Sequence, residues 1–413
     1  MELADCCGVS IEQKKDVFRV MAGDGQELAI NGRFLTQPTT GVQRVARELT
    51  REIDHLVAAG RHKLRLRLLC EPAAVPDDLD LRATEIEVVR GGHGHWWEQV
   101  SLPRAVRGAR LLCFGNTAPI ASLLGQPPVG VIIHDLSYRL YPEAYSRTYR
   151  FGHALMLPLL LNRADPVITV SETERQALLK VAAQAGSRIV VAQNGGWREG
   201  EPAVTAGPPA NEQGYLLYVG SFSRRKNFDS VLRAAIVLAQ EDKLRSIFVG
   251  AGGPILTPTT TDVPEAVRDH IRFVGQVEDV AQLATLYAGA GCLLLPSFYE
   301  ASPLPPIEAM RFGCPVVASD IPAMRERCGD AVEYCDAERF DDIVAAVRRV
   351  TRDAAHAAQL VTRGYRQIER FSWRRQAQIV LDALGIAGQG GQLETPAKEL
   401  HRAGEVMRRN SSG

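Results

Sequence analysis

Two glutamates, Glu300 and Glu308, bracket a proline-rich stretch, Ala301-Ser302-Pro303-Leu304-Pro305-Pro306-Ile307, that follows the apolar run 292–295. Prolines at 305 and 306 suit the first turn of a helix, where a missing N–H costs little. A helix beginning there offers backbone donors and partial positive charge to an anion. One carboxylate on the loop and one in the helix can then reach opposite ends of a ligand. The bland alternative makes Glu308 a dipole partner and leaves Glu300 solvated. A second stretch, Tyr218-Val219-Gly220-Ser221-Phe222-Ser223-Arg224-Arg225-Lys226-Asn227, also follows an apolar run. Gly220 permits close backbone approach. Arg225 and Lys226, expected on a loop exposed to a cleft and unpacked, could neutralise a leaving diphosphate. A solvated basic turn is the alternative. Thr40-Gly41-Val42-Gln43 is a glycine turn ahead of a helix, which equally describes a cap. His134-Asp135 follows the run 129–133, and a histidine there is either a ligand contact or a satisfied core residue.

These residues need elements to hold them. Short apolar runs at 28–31, 64–69, 86–89, 111–114, 129–133, 167–170 and 189–192 read as strands. Between several of them lie helix-length segments. In the first, Val42, Val45, Ala46, Leu49, Ile53, Leu56 and Val57 keep a helical stripe. Ser171 with Glu174 three residues on has the pattern of a capping box at another. A Gly/Pro-rich stretch follows Gln193, and a second series begins, with strands at 215–219, 246–249, 271–274, 292–295 and 316–318. Its helices are expected near 227–240, 279–288, 305–312, 338–350, 353–369 and 372–384. The fold class is α/β, with two Rossmann-like domains facing a cleft. The expected division is an extension at 1–26, a first domain at 27–196, a linker at 197–213, a second domain at 214–385 and a tail at 386–413. The last helix is expected either within the second domain or packed back on the first.

Composition narrows the class. Basic and acidic residues number 48 each in 413, so a nucleic-acid partner is not expected. The eight cysteines form no CxxC pair, and Cys70, Cys113 and Cys292 end apolar runs as small buried hydrophobes. That suits a reducing cytoplasm. No run is long and apolar enough for a signal peptide or a membrane span. Lys63, Arg65 and Arg67 alternate with leucines as in a half-exposed strand, a peripheral membrane patch being the alternative. The run 155–161, interrupted by Pro158, is expected as buried helix, or as a flank for a lipid-linked acceptor. Gly250-Ala251-Gly252-Gly253 lacks the full dinucleotide pattern, Glu278-Asp279 makes no metal cluster, and Lys243 and Lys398 have no motif for a pyridoxal cofactor.

The two glutamates followed by Gly313-Cys314-Pro315-Val316-Val317-Ala318-Ser319 resemble glycosyltransferase family 4, which has the GT-B fold. The Gly220 to Asn227 segment resembles that family's glycine-led basic loop. The resemblance spans roughly residues 27–385. It implies that Glu308 binds the ribose hydroxyls of a nucleotide sugar and that Glu300 faces the donor sugar. Arg225 and Lys226 would bind its phosphates, Gly220 and Leu304 would line the donor site, and His134 would contact the sugar. Catalytic roles are thus implied for Glu300, His134, Arg225 and Lys226. Thr40-Gly41-Val42-Gln43 resembles the family's glycine loop, with Gly41 facing the donor phosphate and Gln43 the acceptor. The family often has glycine where Pro303 stands, so one backbone donor is missing here and sugar identity stays open. The stretch from Gly32 to Arg44 and His93–Gln99 (HGHWWEQ) resemble bacterial surface-polysaccharide transferases using mannose-like or rhamnose-like donors. The implied reaction is retaining, needs neither metal nor cofactor, and delivers a hexose to a glycan or lipid-linked acceptor. A catalytically silent sugar-binding scaffold of the same fold is the rival.

Overall fold

The computed structural model of the chain describes residues 26–74, 79–198, 214–250, 263–277, 279–386 and 388. The expected extension before Gln26, most of the linker, Ala251 to Gly253, Glu278, Cys6, Cys7, Lys398 and nearly all of the expected tail lie outside them.

Seven strands form the first sheet: β1 (Gln26–Asn31), β2 (Leu64–Cys70), β3 (Thr84–Val88), β4 (Arg110–Cys113), β5 (Val129–Ile133), β6 (Val167–Thr169) and β7 (Ile189–Val191). They run parallel in the order β3-β2-β1-β4-β5-β6-β7. Six more, β8 (Tyr215–Val219), β9 (Ser246–Val249), β10 (Ile271–Gly275), β11 (Ala290–Leu295), β12 (Val316–Ser319) and β13 (Glu333–Cys335), form a second parallel sheet, β10-β9-β8-β11-β12-β13. Helices cover both faces, which is why the central strands are almost wholly apolar: every residue of β5 is buried. In each sheet the winding reverses once, between β1 and β4 and between β8 and β11. At such a reversal the loops leave in opposite directions and open a crevice beyond the carboxyl ends of the strands.

The final helix, Trp373–Ala383, packs on the helix Gly41–Ala58 and buries Trp373, Ala377, Val380 and Leu381 in the core around Leu28, Ile30 and Val45. Gly195 makes this crossing possible, because a Cβ there would stand 2.4 Å from Trp373 Cδ2. Truncating so buried a tryptophan typically costs about 3–5 kcal/mol. Ile386, in the stretch expected as tail, is buried in the same core.

Several local expectations need correction. Leu157, Leu160 and Leu161 are buried in the helix Arg147–Arg163, but Leu155 is 63% exposed, so the run 155–161 covers only one face. Arg67 is buried rather than outward-facing. It pairs with Glu27 and Glu87 and donates to the carbonyl of Ala105, while Arg65 pairs with Glu85. The carboxylates cancel the basic stripe. The helical stretch Gly94–Val106, which takes in all of the HGHWWEQ motif but its first histidine, and the three-residue β13 were not anticipated. Cys70, Cys113 and Cys292 are buried and unbridged, as expected. No described helix is long and apolar enough to cross a membrane.

Candidate active site in the cleft

The strongest cluster stands where β8 and β11 separate. After β8 the chain turns through Gly220 and a single 3-10 turn, Arg224–Lys226, whose exit is Asn227 in the left-handed region. After β11 the loop carries Ser297, Tyr299 and Glu300. The two loops are tied by Phe298 N–H donating to the Arg225 carbonyl (3.0 Å), and Ser319 at the end of β12 holds the Ser297 carbonyl (2.6 Å). Glu300 is buried and receives Lys226 Nζ and Ser297 Oγ (2.8 Å) on Oε1. Arg225 Nη1 lies 3.4 Å from Oε2 and donates to the Tyr299 carbonyl at 3.0 Å. Burial alone would raise the Glu300 carboxyl, but Lys226, Arg225 and the hydrogen bonds outweigh it and hold it below its ordinary value. Glu300 thus favours its carboxylate form, while burial pulls the Lys226 ammonium down from its ordinary value against the pull of Glu300. Lys226 is therefore not the exposed side chain expected from its glycine-led loop. Its partner lies 74 residues away, beyond the reach of any local pattern.

Glu308 sits in the helix Pro305–Arg311 and meets different neighbours. Tyr287 Oη donates to its Oε2 at 2.8 Å. Arg44, on the first domain's leading helix, brings Nη1 to 2.6 Å from Oε1, an ion pair in which no N–H is aligned on the oxygen. The expected anion seat at this helix start is not built. Pro305 and Pro306 have no N–H, and those of Ile307 and Glu308 both fold back onto the Leu304 carbonyl (3.0 and 3.1 Å). Leu304 itself is buried with Ala301 against the first domain's core.

From the first domain, His134 at the end of β5 is buried. Its backbone N–H donates to Asn116 Oδ1 (2.7 Å), and its Nε2 lies 2.6 Å from the Phe114 carbonyl. Only a protonated Nε2 satisfies that carbonyl, and burial lowers the imidazole below its ordinary value, so Nδ1 carries the free lone pair. The adjoining loop reaches the second domain: Leu136 N–H points at Tyr299 Oη (3.4 Å), which donates to Glu174 Oε1 (2.6 Å). Ser171 caps its helix through Glu174 N–H (3.1 Å), but the Glu174 side chain turns to Tyr299 instead of completing the box. Gly41 opens the first helix, with no atom within 4 Å of where a Cβ would stand. Gln43 is taken up by the cap, accepting from Thr40 N–H (3.2 Å) and donating to Gln37 Oε1 (2.7 Å). The turn before it touches the second domain through Gln276 Nε2 on the Thr39 carbonyl (3.0 Å).

Glu300, Arg225 and Lys226 thus form one cluster, with Gly220 opening the loop that carries its two cations. Glu308 lies further along, against Arg44 and Tyr287. His134 stays within the first domain, and only the loop that follows it reaches the second, where Leu136 meets Tyr299. An open groove of about 740 Å³ beside Phe298 and Arg224 is walled by Asp320, Asp336, Glu338 and Asp342. So much negative charge makes it a poor seat for a diphosphate. Arg44, Tyr287, Tyr299 and Glu174 were missed from sequence, although Arg44 and Tyr299 directly adjoin residues that were singled out.

The sequence profile described as "Glycosyl transferases group 1" matches residues 205–367, which contain the whole β8–β11 crevice. The chain is also 31% identical over 260 residues to O-antigen chain mannosyltransferase B of Escherichia coli, covering 60% of this chain and 68% of that one. The chain belongs to the group 1 glycosyltransferases. A further relative of this glycosyltransferase is O-antigen chain mannosyltransferase RfbU of Salmonella typhimurium, 23% identical over 277 residues, 65% of this chain and 74% of that one. Among solved structures, Anabaena Alr3699/HepE in complex with UDP and glucose superposes with a TM-score of 0.65 at 15% identity, covering 87% of this chain and 99% of that one. The glycosyltransferase therefore has the GT-B fold expected from its motifs.

Proposed function

We propose that this glycosyltransferase moves a hexose from a nucleoside diphosphate to a glycan or lipid-linked acceptor in polysaccharide assembly, with retention at the anomeric carbon. GDP-mannose or a related deoxysugar donor is favoured, with UDP- and dTDP-sugars as alternatives. Support for the mannose reading comes from the O-antigen mannosyltransferases among its relatives. The carrying observation is the group of Arg225, Lys226 and Glu300 at the β8–β11 switch point, where half-buried Arg225 and buried Lys226 face one buried carboxylate and leave net positive charge. A diphosphate supplies the missing negative charge, and those cations matter most as its oxygen gains charge in the transition state.

In this reading Glu308 takes the ribose hydroxyls once Arg44 has swung away, and Glu300 orients Lys226 below the sugar. His134 Nδ1 accepts a hydrogen bond from a sugar hydroxyl. The anomeric carbon's bond to the diphosphate breaks, the acceptor oxygen attacks from the same face, and its proton passes to the departing diphosphate. Arg225 and Lys226 stand in for a metal, so none is required, and no cofactor takes part. Such chemistry fits a cytoplasmic enzyme that meets a lipid-linked acceptor at a membrane face.

The test supplies GDP-mannose, UDP-glucose and dTDP-rhamnose with mannoside acceptors in EDTA and follows the product by anomeric NMR. Retained transfer from one donor is expected. Inversion, or activity lost in EDTA and restored by Mn²⁺, would overturn the corresponding part of the reading.

A further inference from the structure

The chain passes from one core to the other within a few residues: Ala192 lies in the first domain's core and Trp197 in the second's. Buried side chains that the donor reading leaves without a task hold this crossover. Gln376, on the final helix, donates to the Ala192 carbonyl (3.1 Å) and to Asn194 Oδ1 (3.1 Å), and its own oxygen accepts from Gly195 N–H (3.0 Å). Arg327, 1% exposed, comes from the helix Pro322–Cys328. Its Nη1 donates to the Asn194 carbonyl (2.5 Å), its Nη2 to the Gly195 carbonyl (3.1 Å) and its Nε to the Pro303 carbonyl (3.2 Å). The Phe371 ring covers the guanidinium at 4.2 Å. Beside it, Glu326 accepts from Glu172 N–H (2.7 Å) and Thr173 N–H (3.0 Å) at the start of a first-domain helix. Neighbouring residues of one short helix thus grip the first domain and the crossover.

Burying a cation is costly, and an apolar side chain of similar length would fill the same space without that cost. What only a guanidinium offers is a rigid fork of N–H groups that can hold several acceptors at fixed directions. Two of the three acceptors belong to the crossover and the third to the donor loop. Asn194 adds a second tie between the same two segments, its Nδ2 donating to the Ser302 carbonyl (3.1 Å). Ser302 and Pro303 stand between Glu300 and Glu308, which have holds of their own: Lys226 and Ser297 on one, Tyr287 on the other. Pro303 has no N–H, so its carbonyl is the backbone group by which it can be pinned. Across a trans peptide, fixing that carbonyl also fixes the Leu304 N–H, which points the opposite way.

We propose that Arg327, with Asn194, is a positioning residue for the transfer: it ties residues 301–304 of the donor loop to the crossover, so that the bonds that set the domains against each other also place this loop. The assignment rests on the donor reading above, in which that loop lies along the donor. Arg327 touches no reacting atom and acts through the Pro303 carbonyl. The loop need not unfold for the tie to matter, because a displacement of about 1 Å is enough to cost on the order of 100-fold in turnover.

The experiment uses the full chain and compares wild type with Arg327→Met, Arg327→Lys and Leu160→Ala, the last a truncation in the first domain's core that matches lost stability without touching the loop. Melting is read for all four. Turnover and donor KM are measured with GDP-mannose, UDP-glucose and dTDP-rhamnose and mannoside acceptors, and amide exchange of the loop by mass spectrometry. Arg327→Met leaves three buried carbonyls without their donor and should melt below wild type, as Leu160→Ala does. Its kcat should fall by about 100-fold while donor KM stays within about threefold. Exchange at residues 301, 302 and 304 should quicken by about tenfold. Leu160→Ala should alter neither kcat nor loop exchange. Arg327→Lys keeps the charge without the fork, so it should stay at least about tenfold below wild type in kcat with a loosened loop; it carries the test alone if Arg327→Met does not fold. Wild-type kcat or unaltered loop exchange in both Arg327 variants would overturn the assignment, as would full recovery by lysine or an equal kcat loss in Leu160→Ala. Should the loop loosen in the variants while wild type transfers from none of the three donors, the tie to the crossover stands and the donor reading fails.

Discussion

At the ends of β8 and β11, two cations crowd a single carboxylate; at the ends of β1 and β4, one cation, Arg33, is matched by one carboxylate, Glu98. Both crevices arise from the same topological reversal, and each buries its carboxylate, Glu300 in one and Glu98 in the other. The difference is net charge. Topology opens a crevice at each reversal, and in the proposed reading the unbalanced cations of the second are what a donor diphosphate would meet.

The comparison breaks first at Lys226. Lys226→Ala leaves Glu300 buried beside Arg225 alone, and losing one partner of such a pair costs about 3–5 kcal/mol of stability. The same change should cut kcat by about 100–1,000-fold. Chemical denaturation and single-turnover rates, measured together, separate the two effects when Lys226→Met is combined with Glu300→Gln. The double variant should recover most of the stability and none of the turnover. Recovery of both would reduce the cluster to a structural ion pair.

A smaller effect is expected where the two domains touch. Burial pushes Glu174 from 4.5 up to about 7, with Tyr299 donating to Oε1 and no partner for Oε2 among the described residues. The folded protein thus favours the protonated acid. Its stabilising effect is complete below about pH 4.5 and fades as pH rises through about 7, by up to roughly 3 kcal/mol. Glu174→Gln should remove that dependence, melting higher than wild type at pH 8 with the gap closing toward pH 5. Parallel melting curves across that range would show that the Tyr299 contact does not sense the proton.

Smallest is the effect at Arg44. Its side chain is 29% exposed, and a partly solvated pair is worth up to about 1 kcal/mol. Because Arg44 occupies the oxygen proposed for ribose, Arg44→Ala should tighten nucleotide binding by up to about fivefold. A weakened complex would mean that Arg44 belongs to the nucleotide's own contacts.

How far these features could be read from sequence follows their range. The central strands are short apolar runs with turn residues at their ends, so their places were evident without neighbours. The three residues of β13 pair only at the edge, with Glu333 and Tyr334 partly exposed, and leave no such trace. Residues 94–106 hid their helix because Glu98, a charged side chain, occupies a core position. Glu300, Arg225 and Lys226 stood out because they lie on loops that follow strands, and Glu308 because it stands in the first turn of a proline-led helix. The burial of Lys226 did not, since it depends on a carboxylate distant in sequence. Gln43 and Glu174 teach the converse. The cap holds Gln43, where no distant partner competes among the described residues, and loses Glu174, where Tyr299 does.

The central claim is that the nucleotide lies along Glu308 and the Arg225–Lys226–Glu300 cluster. Calorimetric titration of GDP, UDP and dTDP into wild type and Glu308→Ala tests it most directly. One nucleoside diphosphate should bind wild type at a single site, and the variant should lose about 1.5–3 kcal/mol of that affinity, the scale of a hydrogen bond to a charged group. Equal affinity in the two proteins would contradict the account and take Glu308 out of the ribose role.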